Sequence, residues 1–213
     1  MVNLINLTNL QVNNNHLQEF PAFIPSLTNL QSLDLRGNKM VGELPSTLVN
    51  LTKIPSYNLR LSENALWADD VTLQTYLETF SAYGTWAGVE SKQTWQPNDF
   101  SATASGSQID LTWSKPVRYG NTGLRSGYKI YRGDAEVGPF TEVKEVVGSN
   151  TTATSITSLA AGDHFLAIAT YHDVNPKNKN KVISALSPAI KVTLTAGGSP
   201  DDRDGDGFTN EDE

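Results

Sequence analysis

The feature that most restricts this chain is a phrase written three times near its start. Segments 7–21, 27–45 and 51–67 read LTNLQVNNNHLQEFP, LTNLQSLDLRGNKMVGELP and LTKIPSYNLRLSENALW. In each, an apolar-x-apolar pair precedes an asparagine by three residues: Leu10 and Val12 before Asn15, Leu33 and Leu35 before Asn38, Leu59 and Leu61 before Asn64. A further apolar residue follows two positions after each asparagine, at Leu17, Met40 and Leu66. The asparagines are 23 and then 26 residues apart. Self-similarity at such a period marks a stacked repeat. The apolar pair is a short strand whose alternate side chains point inward. The asparagine sits at the turn after it, where a buried amide must find backbone partners. One repeat cannot bury its apolar edge alone, so neighbours stack, and three repeats are near the minimum for stability.

This pattern resembles the leucine-rich repeat. The second copy, with Gly42 and Leu44-Pro45, looks like a subclass best known from plants and also seen in bacteria. The stretch ALWADDVTLQTYLETF (65–80) is expected to close the array. Asp69 or Asp70 can cap a helix N-terminus, and Leu73, Tyr76, Leu77 and Phe80 then share one helical face. With Trp67 they would cover the open end. The outward strand positions are Asn9, Gln11 and Asn13, then Ser32, Asp34 and Arg36, then Asn58, Arg60 and Ser62. They are polar, mixed in sign and without an aromatic anchor. A solvated face is the plain reading. Repeat proteins dock partners on this concave surface, so these nine residues are the candidate site for a protein partner of unknown identity.

Residues 84–97, GTWAGVESKQTWQP, read as a linker with no periodicity. Beyond Pro97 short alternating runs follow, with Ile109, Leu111 and Trp113, then Tyr128 and Ile130, then Leu166 and Ile168, separated by Gly, Pro and Asn. That is the pattern of an antiparallel sandwich. Residues 98–195 resemble a fibronectin type III domain, on Trp113 before a proline, the SGYKIYR strand, the Leu159-to-Gly162 turn and the final ALSPAIKVTL strand. The family usually carries a tyrosine just after that turn, whose hydroxyl ties back to the corner backbone. Here His164 stands in its place, with a structural role expected. The resemblance implies a spacer or interaction module and no chemistry.

The chain ends on DDRDGDGFTNEDE, which fits the loop template D-x-[DN]-x-[DN]-G-x5-E from Asp202. Calcium is a hard ion that takes six to eight oxygens. Asp202, Asp204, Asp206, the Phe208 carbonyl, Asn210 and Glu213 would supply them, with Gly207 at the sharp turn. The order of residues after Gly207 looks more like a bacterial thrombospondin type 3 repeat than an EF-hand. The plain alternative is an acidic tail. Much of the net charge of −7 lies here. The chain therefore offers no basic field for nucleic acid. With no cysteine there are no disulfides and no thiolate sites. No apolar run spans a membrane, and no nucleophile elbow, phosphate loop or paired-histidine motif occurs.

The expected architecture is a short α/β leucine-rich repeat solenoid with a C-terminal capping helix (1–83), a linker (84–97), an all-β fibronectin type III sandwich (98–195), and a calcium-binding-like acidic segment (196–213). The expected role is a non-enzymatic extracellular or cell-surface binding module, cut from a longer bacterial protein, with Ca2+ as its cofactor. The alternative is a non-catalytic accessory region of an exported bacterial hydrolase.

Overall fold

The computed structural model describes residues 4–80, 92–118 and 121–195. The repeats fold as their pattern dictates. Strands β1 (Asn9–Gln11), β2 (Ser32–Asp34) and β4 (Leu59–Arg60) form a parallel sheet in which Leu10, Leu33 and Leu59 stand in register. Leu33, Leu35 and Leu61 are fully buried, and Leu59 nearly so. A second parallel pair, β3 (Val41–Glu43) and β5 (Ala65–Trp67), runs behind the turn.

The asparagines build a ladder. Asn38 donates to the carbonyls of Val12 and Leu35 and accepts from the Leu17 N–H. One repeat on, Asn64 donates to the carbonyls of Leu35 and Leu61 and accepts from the Met40 N–H. Both are fully buried, so each amide is paid in hydrogen bonds for its desolvation. The residue before each asparagine is left-handed: Asn14 at φ 56°, Gly37 at φ 67° and Glu63 at φ 62°. Glycine and asparagine tolerate that region, whereas a glutamate held there is strained.

The fold class differs from the expectation drawn above. The described residues are mostly β, and they form neither an α/β solenoid nor a helical cap. The segments between the repeat strands hold two 3-10 turns in place of α-helix, Ile24–Ser26 and Ser46–Asn50, with Pro25 inside the first and Pro45 just before the second. The α-helix found among the described residues, α1 (Val71–Glu78), has eight residues. Asp70 caps it by accepting from the Leu73 N–H at 2.7 Å. Its buried face, Leu73, Leu77 and the following Phe80, joins the repeat core. It packs against Ser46–Asn50, as that turn packs against Ile24–Ser26, so it lies alongside the repeats and not across their end.

Residues 93–95 cover that end. Asn64 and Gln93 form a parallel bridge. Gln93 accepts from the Leu66 N–H at 3.1 Å and donates to the Leu61 carbonyl at 2.9 Å. Those are the bonds Asn64 makes one repeat earlier, so Gln93 is the next rung of the ladder. The Trp95 indole N–H then donates to the Leu66 carbonyl at 2.9 Å.

The second unit is a sandwich of two antiparallel sheets. One joins β6 (Asn98–Ser105), β7 (Gln108–Ser114) and β12 (Ala153–Ile156) in the order β12-β7-β6. The other runs β11 (Thr141–Val147), β10 (Gly127–Gly133), β13 (Gly162–His172), with β14 (Val182–Ile183) and β15 (Ile190–Leu194) both paired to β13. A small ribbon, β8 (Val117–Arg118) with β9 (Asn121–Thr122), lies between β7 and β10 in the chain. The alternating residues meet between the sheets: Ile109, Leu111 and Trp113 face Tyr128, Ile130, Leu166 and Ile168. The Trp113 and Tyr128 rings are 5.0 Å apart. At the corner His164 is buried, and its Nε2 donates to the Ala160 carbonyl at 3.0 Å. A four-residue back-bond from this position fills the structural role expected for it.

Candidate functional site

The nine outward strand residues form a grid of three rows across β1, β2 and β4. Asn9 pairs with Ser32, beside Asn58, whose carbonyl accepts from the Leu33 N–H. Gln11 pairs with Asp34, which pairs with Arg60. Asn13, Arg36 and Ser62 follow, where the Asn14 N–H donates to the Arg36 carbonyl and the Gly37 N–H to that of Ser62.

The grid is not uniformly exposed. Asp34 is only 3% exposed. Arg36 grips it as a fork, Nε to Oδ1 at 2.9 Å and Nη2 to Oδ2 at 2.5 Å, and Arg60 Nη1 stands 3.7 Å from Oδ2. Burial by itself raises the Asp34 pKa, but the bonds and charge of Arg36, with the charge of Arg60, hold it below the usual carboxylate value. Ser62 is also buried. Asn9 and Gln11 are exposed, and Asn13, Ser32, Arg36, Asn58 and Arg60 are half-buried.

Two hollows open beside the grid. One, of about 230 Å³, is lined by Asn13, Asn14, Arg36, Ser62, Glu63, Lys92 and Lys177. The other, of about 290 Å³, shares Arg36, Ser62 and Lys92 and adds Tyr57, Leu59, Arg60 and Phe80. Lys177 belongs to the sandwich, on the β13–β14 connection. That connection is docked on the repeats. Asn178 Nδ2 donates to the carbonyls of Asn38 at 3.1 Å and Glu63 at 2.8 Å. Asn180 Nδ2 donates to those of Asn15 at 2.6 Å and Gly37 at 3.1 Å. Asn175 Nδ2 reaches Glu63 Oε2 at 3.3 Å, while its own Oδ1 folds the turn by accepting from the Lys177 and Asn178 N–H groups. On the other side of the joint Arg118 lies 5.5 Å from the Trp67 ring and pairs with Asp69 at 3.1 Å.

Lys92, Lys177 and Glu63 therefore belong to the site's surroundings, although no sequence pattern pointed to them. Asn175 and Lys177 sit in a polar run, NPKNKNK, that reads as an ordinary turn. The residues expected to hold calcium, Asp202, Asp204, Asp206, Phe208, Asn210 and Glu213, lie outside the described residues. Among the described residues no group of three His, Cys, Asp or Glu could hold a metal ion, and no helix is long and apolar enough to cross a membrane.

A family model for the Leucine Rich Repeat matches residues 29–51. A search of the curated proteins finds no sequence match. Solved structures that resemble the chain include the FN5 domain of Drosophila Lar, at 23% identity over 49% of this chain and 99% of that one, TM-score 0.35. The third fibronectin III domain of human KIAA0343 matches at 18% identity over 49% of this chain and 84% of that one, TM-score 0.36. The twitchin kinase region from C. elegans matches at 19% identity over 49% of this chain, TM-score 0.38, and the chain covers only 17% of it. The matches thus cover one leucine-rich repeat and, over 49% of the chain, fibronectin III domains of solved structures.

Proposed function

We infer that this is a binding module of an exported bacterial protein, with a protein partner docking on the outward face of β1, β2 and β4. The observation that carries this reading is the Asp34–Arg36–Arg60 cluster. A carboxylate buried on an outward strand position, gripped by two half-exposed guanidinium groups, holds both arginines in place. Charged groups ordered before contact lose little freedom on binding, and arginine is enriched where interfaces draw their energy. The sandwich acts as a spacer that presents this face.

The test is affinity capture from a surface extract of the source cells, comparing the wild type with Asn9→Trp/Gln11→Trp, which blocks the face without changing its charge. A partner retained by the wild type and lost by the variant supports the reading. Equal capture by both sinks it.

The C-terminal segment is proposed as a calcium loop on the chemistry of its donor set: five oxygen side chains and one carbonyl at the alternate spacing the ion requires. Calorimetric titration with Ca2+, repeated on Asp204→Ala/Asp206→Ala, checks this. Heat from the wild type alone is the expected outcome, and none from either would discard the loop.

A further inference from the structure

We propose that the two hollows beside the strand face form one anion-binding surface, shared between the repeats and the sandwich, whose ligand is an acidic peptide segment of the partner. This rests on the reading of the strand face as a docking site and specifies what docks there.

The charges decide the ligand class. The hollows bring together Arg36 and Arg60 from the repeats, Lys92 from the segment that follows them, and Lys177 from the sandwich. Among the described residues two carboxylates stand against these four cations, and both are already engaged. Asp34 is buried under the two guanidinium groups. Glu63 is 6% exposed, and its Oε2 accepts from Asn175. Lys92 and Lys177 are exposed and have no carboxylate within ion-pair distance among the described residues. Among the described residues a local surplus of positive charge thus persists in a chain whose net charge is −7. Such a patch attracts carboxylates and repels a basic partner.

Size favours side chains over an enclosed small molecule. Cavities of about 230 and 290 Å³ fall below the usual range for drug-sized ligands, about 300–1,000 Å³. Two adjoining hollows suit successive carboxylate side chains of an extended peptide. The composite origin also has a consequence. Lys177 is held over the repeats by Asn178 and Asn180, so the site is complete only while the two units stay joined.

The test uses the full chain and a fluorescein-labelled oligoglutamate peptide, read by fluorescence anisotropy at low salt, with oligoglutamine and oligolysine as controls. Saturable binding of oligoglutamate alone is expected, falling as salt is raised through the screening range. Lys92→Ala/Lys177→Ala should weaken it about tenfold, the sum of two exposed ion pairs. These surface changes leave the fold intact, which circular dichroism verifies. No binding of oligoglutamate, equal binding of the controls, or affinity unchanged in the double variant overturns the proposal. Its failure is separable from that of the strand-face reading: a partner still lost by Asn9→Trp/Gln11→Trp, with no response to oligoglutamate, keeps the face and discards the acidic ligand.

Discussion

The side-chain amide of Asn178 donates to the backbone carbonyl of Asn38, across 140 residues of sequence, at 3.1 Å. Asn38 is itself a rung of the repeat ladder, so one asparagine satisfies the turn from inside and another satisfies it from the sandwich. With Asn180 the β13–β14 connection places four amide hydrogen bonds on successive turns of the repeats. The two units are joined by the same chemistry that stacks the repeats.

Asn178→Ala should cut both of its bonds and strand the Glu63 and Asn38 carbonyls against an apolar methyl. An unsatisfied buried group costs about 1–3 kcal/mol, and Asn178 is fully buried. With Asn180→Ala added, the joint should open. Small-angle scattering checks this: a larger maximum dimension for the double variant is expected, and a profile identical to the wild type would show that the asparagines do not hold the units together.

Gly37 is constrained twice. Its φ of 67° is disfavoured for most side chains, and a Cβ built there would run into the Asn14 side-chain oxygen and stand 2.8 Å from the Lys177 carbonyl oxygen. Gly37→Ala should therefore strain the turn by about 1–2 kcal/mol and push the docked connection away. Thermal unfolding should show a lower Tm. The anisotropy titration should also show weaker oligoglutamate binding, because Lys177 moves with the connection. Unchanged values in both would mean that the contact with Lys177 yields without consequence.

Gln93 carries a different load. Replacing it by leucine keeps the bulk but takes away the acceptor of the Leu66 N–H and one of the two donors to the Leu61 carbonyl, which keeps its bond from Asn64. At a site 1% exposed this should cost about 2–3 kcal/mol in a urea unfolding curve. Gln93→Asn keeps the amide on a shorter arm and should lose less. A leucine variant as stable as the wild type would remove Gln93 from the ladder.

Much of this was legible because it is local or periodic. The apolar pairs gave the strand register, the Asp69–Asp70 pair gave the helix start without saying which of the two caps it, and the two-residue alternation of Ile109, Leu111 and Trp113 gave the inner face of the sandwich. The back side of the repeats was not. Amphipathic spacing over 65–80 foretells a helix but not where it packs, and it lies along the repeats instead of over their end. Gln93 escaped because KQTW has no apolar-x-apolar pair and offers glutamine where the ladder uses asparagine. The burial of Asp34 escaped because it depends on arginines two residues away and one repeat away. The docked connection escaped because Asn and Lys in a run carry no periodicity, and only the fold shows which carbonyls they meet.

The sandwich carries its own charge cluster, which sets a pH range. Lys129 is 7% exposed, with Nζ at 2.7 Å from Glu142 Oε1 and 2.9 Å from Glu145 Oε2. Burial disfavours its charge, but the bonds and charges of the two glutamates outweigh this and raise its pKa above the ordinary 10.5. Glu145 moves the other way, chiefly through the hydrogen bond from Lys129, against its burial and with help from Lys181 and Tyr171, from 4.5 down to about 2. A lowered carboxyl pKa means that the unfolded chain takes the proton first. The stability Glu145 contributes is whole above about pH 4.5 and drains away as the pH falls toward 2. A raised lysine pKa has the opposite sense: its contribution is whole below about 10.5 and is lost as the pH climbs through the folded value. The expected profile is a plateau between these limits with a shoulder at each end. Lys129→Met removes the charge that couples the cluster, so calorimetric Tm values taken across the pH scale should lose part of both slopes. Parallel profiles for variant and wild type would show that the cluster does not set the range.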